Sequence, residues 1–579
     1  MNLLSALPPG WPMIVGGVFL WLLPKRAQAG GALGLAILSG LLFWSTPVLG
    51  DGETAKTFSM LGAELQPIRV DSLSRPFGLV FHIAAIVSVI YALHVRDTRQ
   101  HVAGMVYAGA AIGACCAGDL MTLFVFWELT AISSVFLVWA SDTPAAYRAG
   151  MRYLIVQVGS GVLLLTGAII QYVETGSLKF DLFVSEGQTL FGVDAISPAA
   201  WCVLIAFAIK CAFPLLHNWL QDSYPKATVT GTVFLSAFTT KLAVYSLARG
   251  FAGFDPLITV GCIMTLFPII FAVIENDLRR VLAYSLNNQL GFMVVGVGIG
   301  TELAINGTVA HAFCHIIYKS LLFMSVGAVL FRVGTAKATE LGGLHKSMPW
   351  TTAFCMIGAG AISGFPLLSG FVSKSMIISA AGEEHMFGVW IVLLIASAGV
   401  MEHSGIKIPF FAFFAHDSGK RVKEAPWNML LAMSIAAFSC IALGIAYPLL
   451  YRLLPFDVDY HPYTITHVVT QLQLLMFAAL AFVALMKAGL YPAEQRAVNL
   501  DTDWVYRRLI PKATRGGQVA IELVDQTFRH DFLLTLRSGL RMVQRSFNVN
   551  GWIGRTWSTS TMAFWAATLL AISLVLYYT

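Results

Sequence analysis

Residues 303–331 read LAINGTVAHAFCHIIYKSLLFMSVGAVLF. The run exceeds the ~20 apolar residues that cross a bilayer, yet it carries His311, His315 and Lys319. Each follows the last by four residues. At 100° per residue every step drifts only about 40° and rises about 6 Å, so the three form one polar stripe on one helix face. A charge at mid-bilayer depth costs at least ~2.5–3.5 kcal/mol. Histidine titrates near neutrality and both accepts and donates hydrogen bonds, which suits a water-bridged proton wire. Two histidines at i and i+4 also suit zinc, but the motif supplies no third protein ligand. The bland alternative for His311 is a buried histidine satisfied by a carbonyl.

The rest of the chain reads as more spans of the same kind. Of 579 residues, 57% are hydrophobic and only 12% charged, with mean hydropathy +0.73. A soluble protein carries roughly a quarter charged residues, so this is an all-α, polytopic membrane protein. Apolar runs fall at about 3–23, 30–49, 77–94, 102–117, 120–140, 150–173, 198–216, 229–248, 255–274, 281–300, 303–331, 350–380, 387–403, 427–449, 467–490 and 560–578, giving 14–16 spans. The first lacks a basic leader and reads as a retained span. Eight cysteines show no CxxC spacing, and no GxGxxG or P-loop pattern occurs. Metal, cofactor and nucleotide chemistry are therefore not expected. The net charge of +6 fits basic loops on an anionic cytoplasmic leaflet and does not indicate nucleic acid.

Four more ionisable residues sit in or at the ends of apolar runs: Glu128, Lys210, Lys241 and Lys374. Read from the residues alone, Glu128 and Lys210 are either a static buried ion pair or a pair whose separation moves a proton. Lys241 is a relay station or a lysine that snorkels from a helix end, and Lys374 is a station or an interfacial lysine. Pro214 and Pro366 interrupt the seventh and twelfth runs. Proline removes a backbone donor, and the freed groups must be satisfied by protein or water. Two broken spans five apart, each with a lysine, suggest inverted five-helix repeats with sites at the breaks. His217 and Asp222 lie at the membrane boundary, and Glu402, His403 and Lys407 cluster near the thirteenth run. Both groups are candidates for access to, or outlet from, the path.

Basic residues set the orientation. Lys25, Arg26, Arg96, Arg99, Arg148, Arg152, Lys226, Arg279, Arg280, Lys337, Lys346, Lys420 and Arg421 fall in odd-numbered loops. Those loops are expected to face the cytoplasm, with both termini on the other side. Five segments are expected: N-terminal spans 1–101, a core 102–403, further spans 404–490, a basic amphipathic segment 491–559 and a last span 560–579. In 517–547, Val519, Leu523, Phe532, Leu536 and Leu540 form an apolar side and Arg529, Arg537, Arg541 and Arg545 another. This is a lateral helix on the membrane surface or on a partner.

Several stretches together carry a family resemblance. They are Asp119-Leu-Met-Thr-Leu-Phe-Val-Phe-Trp-Glu128-Leu, Lys210-Cys-Ala-Phe-Pro-Leu-Leu-His217-Asn-Trp-Leu-Gln-Asp222, Thr240-Lys241-Leu-Ala-Val-Tyr, Asp277-Leu-Arg-Arg-Val-Leu-Ala-Tyr-Ser285, His311 to Lys319, and Ser369-Gly-Phe-Val-Ser-Lys374. In this order they resemble the proton-translocating, antiporter-like subunits of respiratory complex I and of Mrp-type cation/proton antiporters, above all the D-type component of the latter. The turn Gln221-Asp222-Ser-Tyr-Pro225 departs from the family's proline pattern.

The resemblance implies a proton path through Glu128, Lys210, Lys241, His311, His315, Lys319 and Lys374. It implies a transporter subunit in the cell (inner) membrane, without cofactor or metal, working with other membrane subunits on protons and a monovalent cation such as sodium. Two alternatives are the pumping subunit of a redox-driven complex, with the NADH:quinone oxidoreductase-type activity in partner subunits, and the membrane subunit of an inorganic-carbon uptake system.

Overall fold

The computed structural model describes residues 9–49, 57–60, 62–185, 187–192, 194–491, 499 and 501–579. Residues 3–8 of the first expected span, and 492–498 and 500 of the expected basic segment, lie outside the described residues. The chain divides into two compact units, Met1–Asn499 and Leu500–Thr579. The expected divisions at 101/102 and 403/404 therefore fall inside one unit.

The first unit holds α1 (Trp11–Phe19), α2 (Gln28–Ser45), the hairpin β1 (Phe58–Met60) and β2 (Ala63–Leu65), α3 (Ser74–Tyr91), α4 (Thr98–Cys115), α5 (Leu120–Trp139) and α6 (Pro144–Thr175). There follow α7 (Pro198–Lys210), α8 (Asn218–Ser223), α9 (Val229–Ala237), α10 (Thr239–Gly250), α11 (Pro256–Ile274), α12 (Leu278–Ile299) and α13 (Glu302–Val333). The unit closes with α14 (Pro349–Ser363), α15 (Ser369–Glu383), α16 (Phe387–Val400), α17 (Lys407–Pro409), α18 (Trp427–Ile445), α19 (Tyr447–Tyr451) and α20 (Ile465–Lys487). The second unit contains α21 (Ile510–Phe547) and α22 (Thr559–Tyr578). α21 is one continuous 38-residue helix, about 57 Å long at 1.5 Å per residue.

Among the described residues ten helices are long and apolar enough to cross a membrane: α2, α3, α5, α6, α11, α13, α16 continued to Phe414, α18, α20 and α22. The other expected spans are built differently. α1 and α7 are short and apolar, α4 and α12 are full-length but more polar, and three runs are pairs of half-helices. The seventh run breaks at Cys211–His217 and the twelfth at Gly364–Leu368, as their prolines suggested. The eighth, expected as continuous over 229–248, also breaks, at Phe238 (φ −102°, ψ −67°). No proline marks it, so among the described residues a third interrupted span joins the two expected broken helices.

The inverted repeat is visible in backbone detail. The chain at the start of α5 pairs antiparallel with the chain beyond α6, at Asp119 and Lys179; the start of α12 pairs with the chain beyond α13, at Asp277 and Lys337. Leu120 N donates to Leu178 O (2.9 Å) and Leu278 N to Ala336 O (2.9 Å). Each long helix of the pair ends on a left-handed glycine, Gly176 or Gly334. All three correspondences (119 to 277, 176 to 334, 179 to 337) lie 158 residues apart. The two broken spans share Phe-Pro-Leu-Leu, at 213–216 and 365–368. The first Leu after each proline is left-handed, Leu215 at φ 70° and Leu367 at φ 72°. A bulky residue pays about 1–2 kcal/mol for that backbone, so the same strained turn is built twice. An offset of five spans makes the second copy antiparallel to the first.

Close packing relies on small residues where helices touch, as expected without a hydrophobic drive between helices in lipid. A Cβ at Gly291 of α12 would stand 2.7 Å from Gly261 O of α11, and one at Gly261 would stand 2.8 Å from Gly291 O. Gly291→Val is therefore expected to separate α11 from α12 and to lower the melting temperature of the detergent-solubilised protein by several degrees. An unchanged melting curve would contradict this contact.

One polar tie anchors the segment before α3. Asp71 accepts from Arg249 Nη2 at 2.8 Å and pairs with Arg69 Nε at 3.0 Å. Burial alone would raise the Asp71 carboxyl, but the Arg249 and Arg69 guanidinium groups and the Ser74 N–H outweigh it and hold it well below the ordinary carboxylate range. A lowered folded-state value gives stability that is full above the unfolded Asp value, about 3.9, and is lost progressively below it as pH falls through the folded-state value. Asp71→Ala leaves Arg249 buried and unpaired, which costs about 3–5 kcal/mol. The variant's stability is expected to drop at neutral pH and to converge on wild type in acid, read as melting temperature against pH.

Candidate functional site

The ionisable residues of the apolar spans are brought into one interior line. Lys210 ends α7, where the proline break leaves it fully buried. Its Nζ donates to Trp127 O (2.6 Å) and Thr130 Oγ1 (2.7 Å), and lies 4.2 Å from the centroid of the Trp127 ring. Those partners flank Glu128 on α5. Glu128 itself is half-buried, and the two charges are within interaction range. Among the described residues they make no contact ion pair, the separated one of the two arrangements that the sequence left open. Instead the carboxylate lies over Gly161 of α6, where a Cβ would overlap Oε1, and among the described residues that oxygen has no hydrogen-bond partner.

Lys241 is fully buried and does not snorkel. It sits three residues after the break at Phe238, and its Nζ donates to Ser236 O at 2.5 Å, a carbonyl beside that break. Lys374, 3% exposed, is held the same way: its Nζ donates to Ile362 O (2.9 Å) in the last turn of α14, just before the break at Gly364. Interrupted helices thus supply backbone carbonyls to buried lysines.

The α13 stripe lies between these stations. His311 and His315 stack with ring centroids 6.1 Å apart. His311 Nδ1 meets Ser373 Oγ (3.2 Å) of α15, and its Nε2 meets Tyr318 OH (3.4 Å), which donates to Gln289 Oε1 (3.1 Å). Neither His315 nitrogen nor Lys319 Nζ has a hydrogen-bond partner among the described residues, and both side chains are fully buried. Lys241 is within charge-interaction range of Lys319, His315 and His311, and Lys374 within range of both histidines. At the other end, Lys241 lies in range of Cys211, the neighbour of Lys210. Lys241 and Lys374 thus both reach the α13 histidines, and Lys210 lies beside Cys211 at the Lys241 end.

Of the proposed access residues, Asp222 is committed to an ion pair with Arg152 (2.6 Å) at the end of α8. His217 packs against the Phe267 ring with centroids 4.6 Å apart. His403 is fully buried, and Lys407 donates to the carbonyls of Ala272 (3.2 Å), Val273 (2.6 Å) and Glu275 (2.7 Å). Glu402 is half-buried, within charge range of Lys407.

Several polar residues of the site were not singled out from the sequence. Asn287, Asn288 and Gln289 of α12 are fully buried in mid-span. Gln289 Nε2 donates to Asn288 Oδ1 (2.6 Å), and Asn288 Nδ2 donates to Thr265 O. The consecutive amides inside the apolar run 281–300 were the available signal. Thr130, Ser373 and Tyr318 join through contacts between helices, which no local pattern announces.

Fold and site together define a polytopic helical membrane protein with a line of ionisable side chains through its interior. The family model described as "NADH:quinone oxidoreductase/Mrp antiporter, TM" matches residues 117–401. The D-type component of the Na(+)/H(+) antiporter of Alkalihalophilus pseudofirmus is 31% identical over 435 residues, 72% of this chain and 87% of that one. Hydrogenase-4 component B of Escherichia coli is 26% identical over 434 residues, 66% of this chain and 62% of its own length. In fold, the chain is similar to one in the structure of the Mrp complex from Dietzia sp. DQ12-45-1b (TM-score 0.73, 22% identity, 98% of this chain and 62% of that one). It is also similar to one in the membrane-bound sulfane sulfur reductase, an archaeal respiratory membrane complex (TM-score 0.69, 19% identity, 98% and 99%). The chain belongs to the NADH:quinone oxidoreductase/Mrp antiporter family of membrane proteins.

Proposed function

We propose that this chain is the proton-conducting subunit of a multi-subunit, Mrp-type monovalent cation/proton antiporter, set in the cell inner membrane with both termini on the non-cytoplasmic side. The observation that carries the reading is the set of buried ionisable groups Lys210, Lys241, His311, His315, Lys319 and Lys374 inside one unit, with Glu128 next to the Trp127 carbonyl that holds Lys210. The Na(+)/H(+) antiporter relative, of which this chain covers 87%, supports the antiport assignment.

The Glu128 site works as a switch in this reading. With Glu128 turned toward Gly161, Lys210 rests on Trp127 O and Thr130. At 4 Å the carboxylate and the ammonium attract by roughly 4 kcal/mol at an effective dielectric of ~20, and by less at their present separation. Pairing therefore holds a proton on Lys210, and separation releases it toward Lys241. Water bridges the stripe of α13, where His315 and Lys319 have free hydrogen-bonding capacity. Purified complex in proteoliposomes tests this: an imposed sodium gradient drives proton movement with the wild-type chain, and equal movement without this subunit would refute it.

A redox-driven pump is the second reading, favoured by the near end-to-end likeness in fold to the sulfane sulfur reductase chain. Co-purified iron–sulfur subunits would select it, and small Mrp-type subunits would select antiport.

α21 and α22 serve assembly in either case. Every path residue precedes residue 492. Deleting residues after 492 is expected to leave a folded core that assembles poorly or couples weakly, read by blue-native electrophoresis beside a transport assay. Normal migration with a normal rate would remove any bracing role.

A further inference from the structure

His403 and Lys407 have no place in the main line, yet their surroundings are built with care. Between α16 and α17 the chain widens into a π-helical stretch, Met401–Ile406, and a second follows at Phe410–Phe414. π-Turns inside a span are uncommon and concentrate at functional sites. The first is wedged among the path helices. Ser404 Oγ donates to Ser285 Oγ of α12 at 2.6 Å, and a Cβ at Gly405 would overlap Ser363 Oγ at the break of α14.

Within this stretch His403 is fully buried, and its Nδ1 lies 2.6 Å from Gly399 O. A carbonyl only accepts, so Nδ1 carries the hydrogen and Nε2 is the lone-pair nitrogen. Nε2 has no hydrogen-bond partner among the described residues, and neither has Lys319 Nζ, within charge range of it. A buried acceptor without a donor, within charge range of a buried donor without an acceptor, calls for bridging water, because each unpaired group costs about 1–3 kcal/mol.

Helix geometry locates the far end of this branch. α15 carries Lys374 away from the break toward the turn at 384–386, and α16 starts back from that turn at Phe387. Lys407 lies twenty residues on, about 30 Å at 1.5 Å per residue, the thickness of a hydrocarbon core. Lys407 is therefore at the opposite face from the 384–386 turn, at the C-terminus of α11, whose last carbonyls its ammonium meets. Glu275 beside it pairs with Arg280 at 3.5 Å.

We infer that His403 is a proton station joining Lys319 to the membrane face marked by Lys407 and Glu275, so that the central lysine communicates with one face through His403 and with the other through Lys374. This rests on the proton-path reading above. One proton arrives on His403 Nε2 from water on the Lys407 side and leaves from the same nitrogen, through water, to unprotonated Lys319. Nδ1 keeps its own hydrogen throughout, and the ring returns to neutral.

The test uses the assembled complex in proteoliposomes. His403→Gln keeps a polar side chain of similar length but carries no proton. It is expected to lower proton flux at least tenfold with normal assembly, and His403→Ala at least as much. Ser404→Cys reads the route independently of flux. A membrane-impermeant thiosulfonate is expected to label it from the Lys407 face and not from the other, over the wild-type background. Flux within twofold of wild type in His403→Gln, in a preparation where Lys319→Ala is inactive, would overturn the inference and leave the path reading standing. So would absent labelling of Ser404→Cys from the Lys407 face, which decides the matter if His403→Gln fails to assemble. Normal flux in Lys319→Ala would instead overturn the path reading itself, and this inference with it.

Discussion

Lys210→Ala and Glu128→Ala are each expected to abolish coupled transport while the complex still assembles. Lys210 is fully buried and, among the described residues, is the one charge partner given to Glu128. Removing either partner also takes away the charge against which the switch works. Gly161→Ala is expected to act nearly as strongly without touching a charge, because its Cβ would occupy the position of Glu128 Oε1. Membrane vesicles containing each variant at wild-type protein level provide the measurement. A wild-type transport rate in Lys210→Ala would exclude this switch.

Along α13, the expected order of loss is Lys319→Ala strongest, His315→Ala next and His311→Ala least. Lys319 is within charge range of Lys241 and of His315, and among the described residues neither Lys319 Nζ nor the His315 ring has a hydrogen-bond partner, so both are placed to work through water. His311 stands among Ser373, Tyr318 and Gln289, hydroxyl and amide groups that keep a wet route open in its absence. Single histidine losses are thus tolerated better than a double loss. Initial rates of proton movement for the single variants and for His311→Ala/His315→Ala rank them. A double variant that pumps at the wild-type rate would end the case for a wire on this face.

Much of this was legible in the chain because lipid imposes simple rules. Spans had to be apolar, so every charge within one stood out. Prolines 214 and 366 announced two of the breaks through the backbone bonds they remove. The third break, at Phe238, involves no proline; there the Thr239 N–H donates to Tyr107 OH of α4 (3.0 Å), a contact that nothing in residues 229–248 disclosed. The direction of Glu128 was equally hidden: it depends on the space that Gly161 leaves on the next helix. The repeat was half-legible. Two lysines at unequal distances from their prolines blurred it, whereas the paired left-handed leucines and the bridges at Asp119 and Asp277 make it plain. Neutral amides such as Asn287 carry no charge to stand out against the apolar run, although a buried amide also needs partners.

The central claim is that protons cross this subunit along its buried lysines. Its most direct measurement is proton flux, followed with an entrapped pH-sensitive dye, through proteoliposomes holding purified complex with either wild-type chain or Lys319→Ala, at matched protein and under the same imposed cation gradient. The account predicts a rapid internal pH change with wild type and none above the leak of protein-free liposomes with Lys319→Ala. A pH change of wild-type rate and extent in the variant would contradict it.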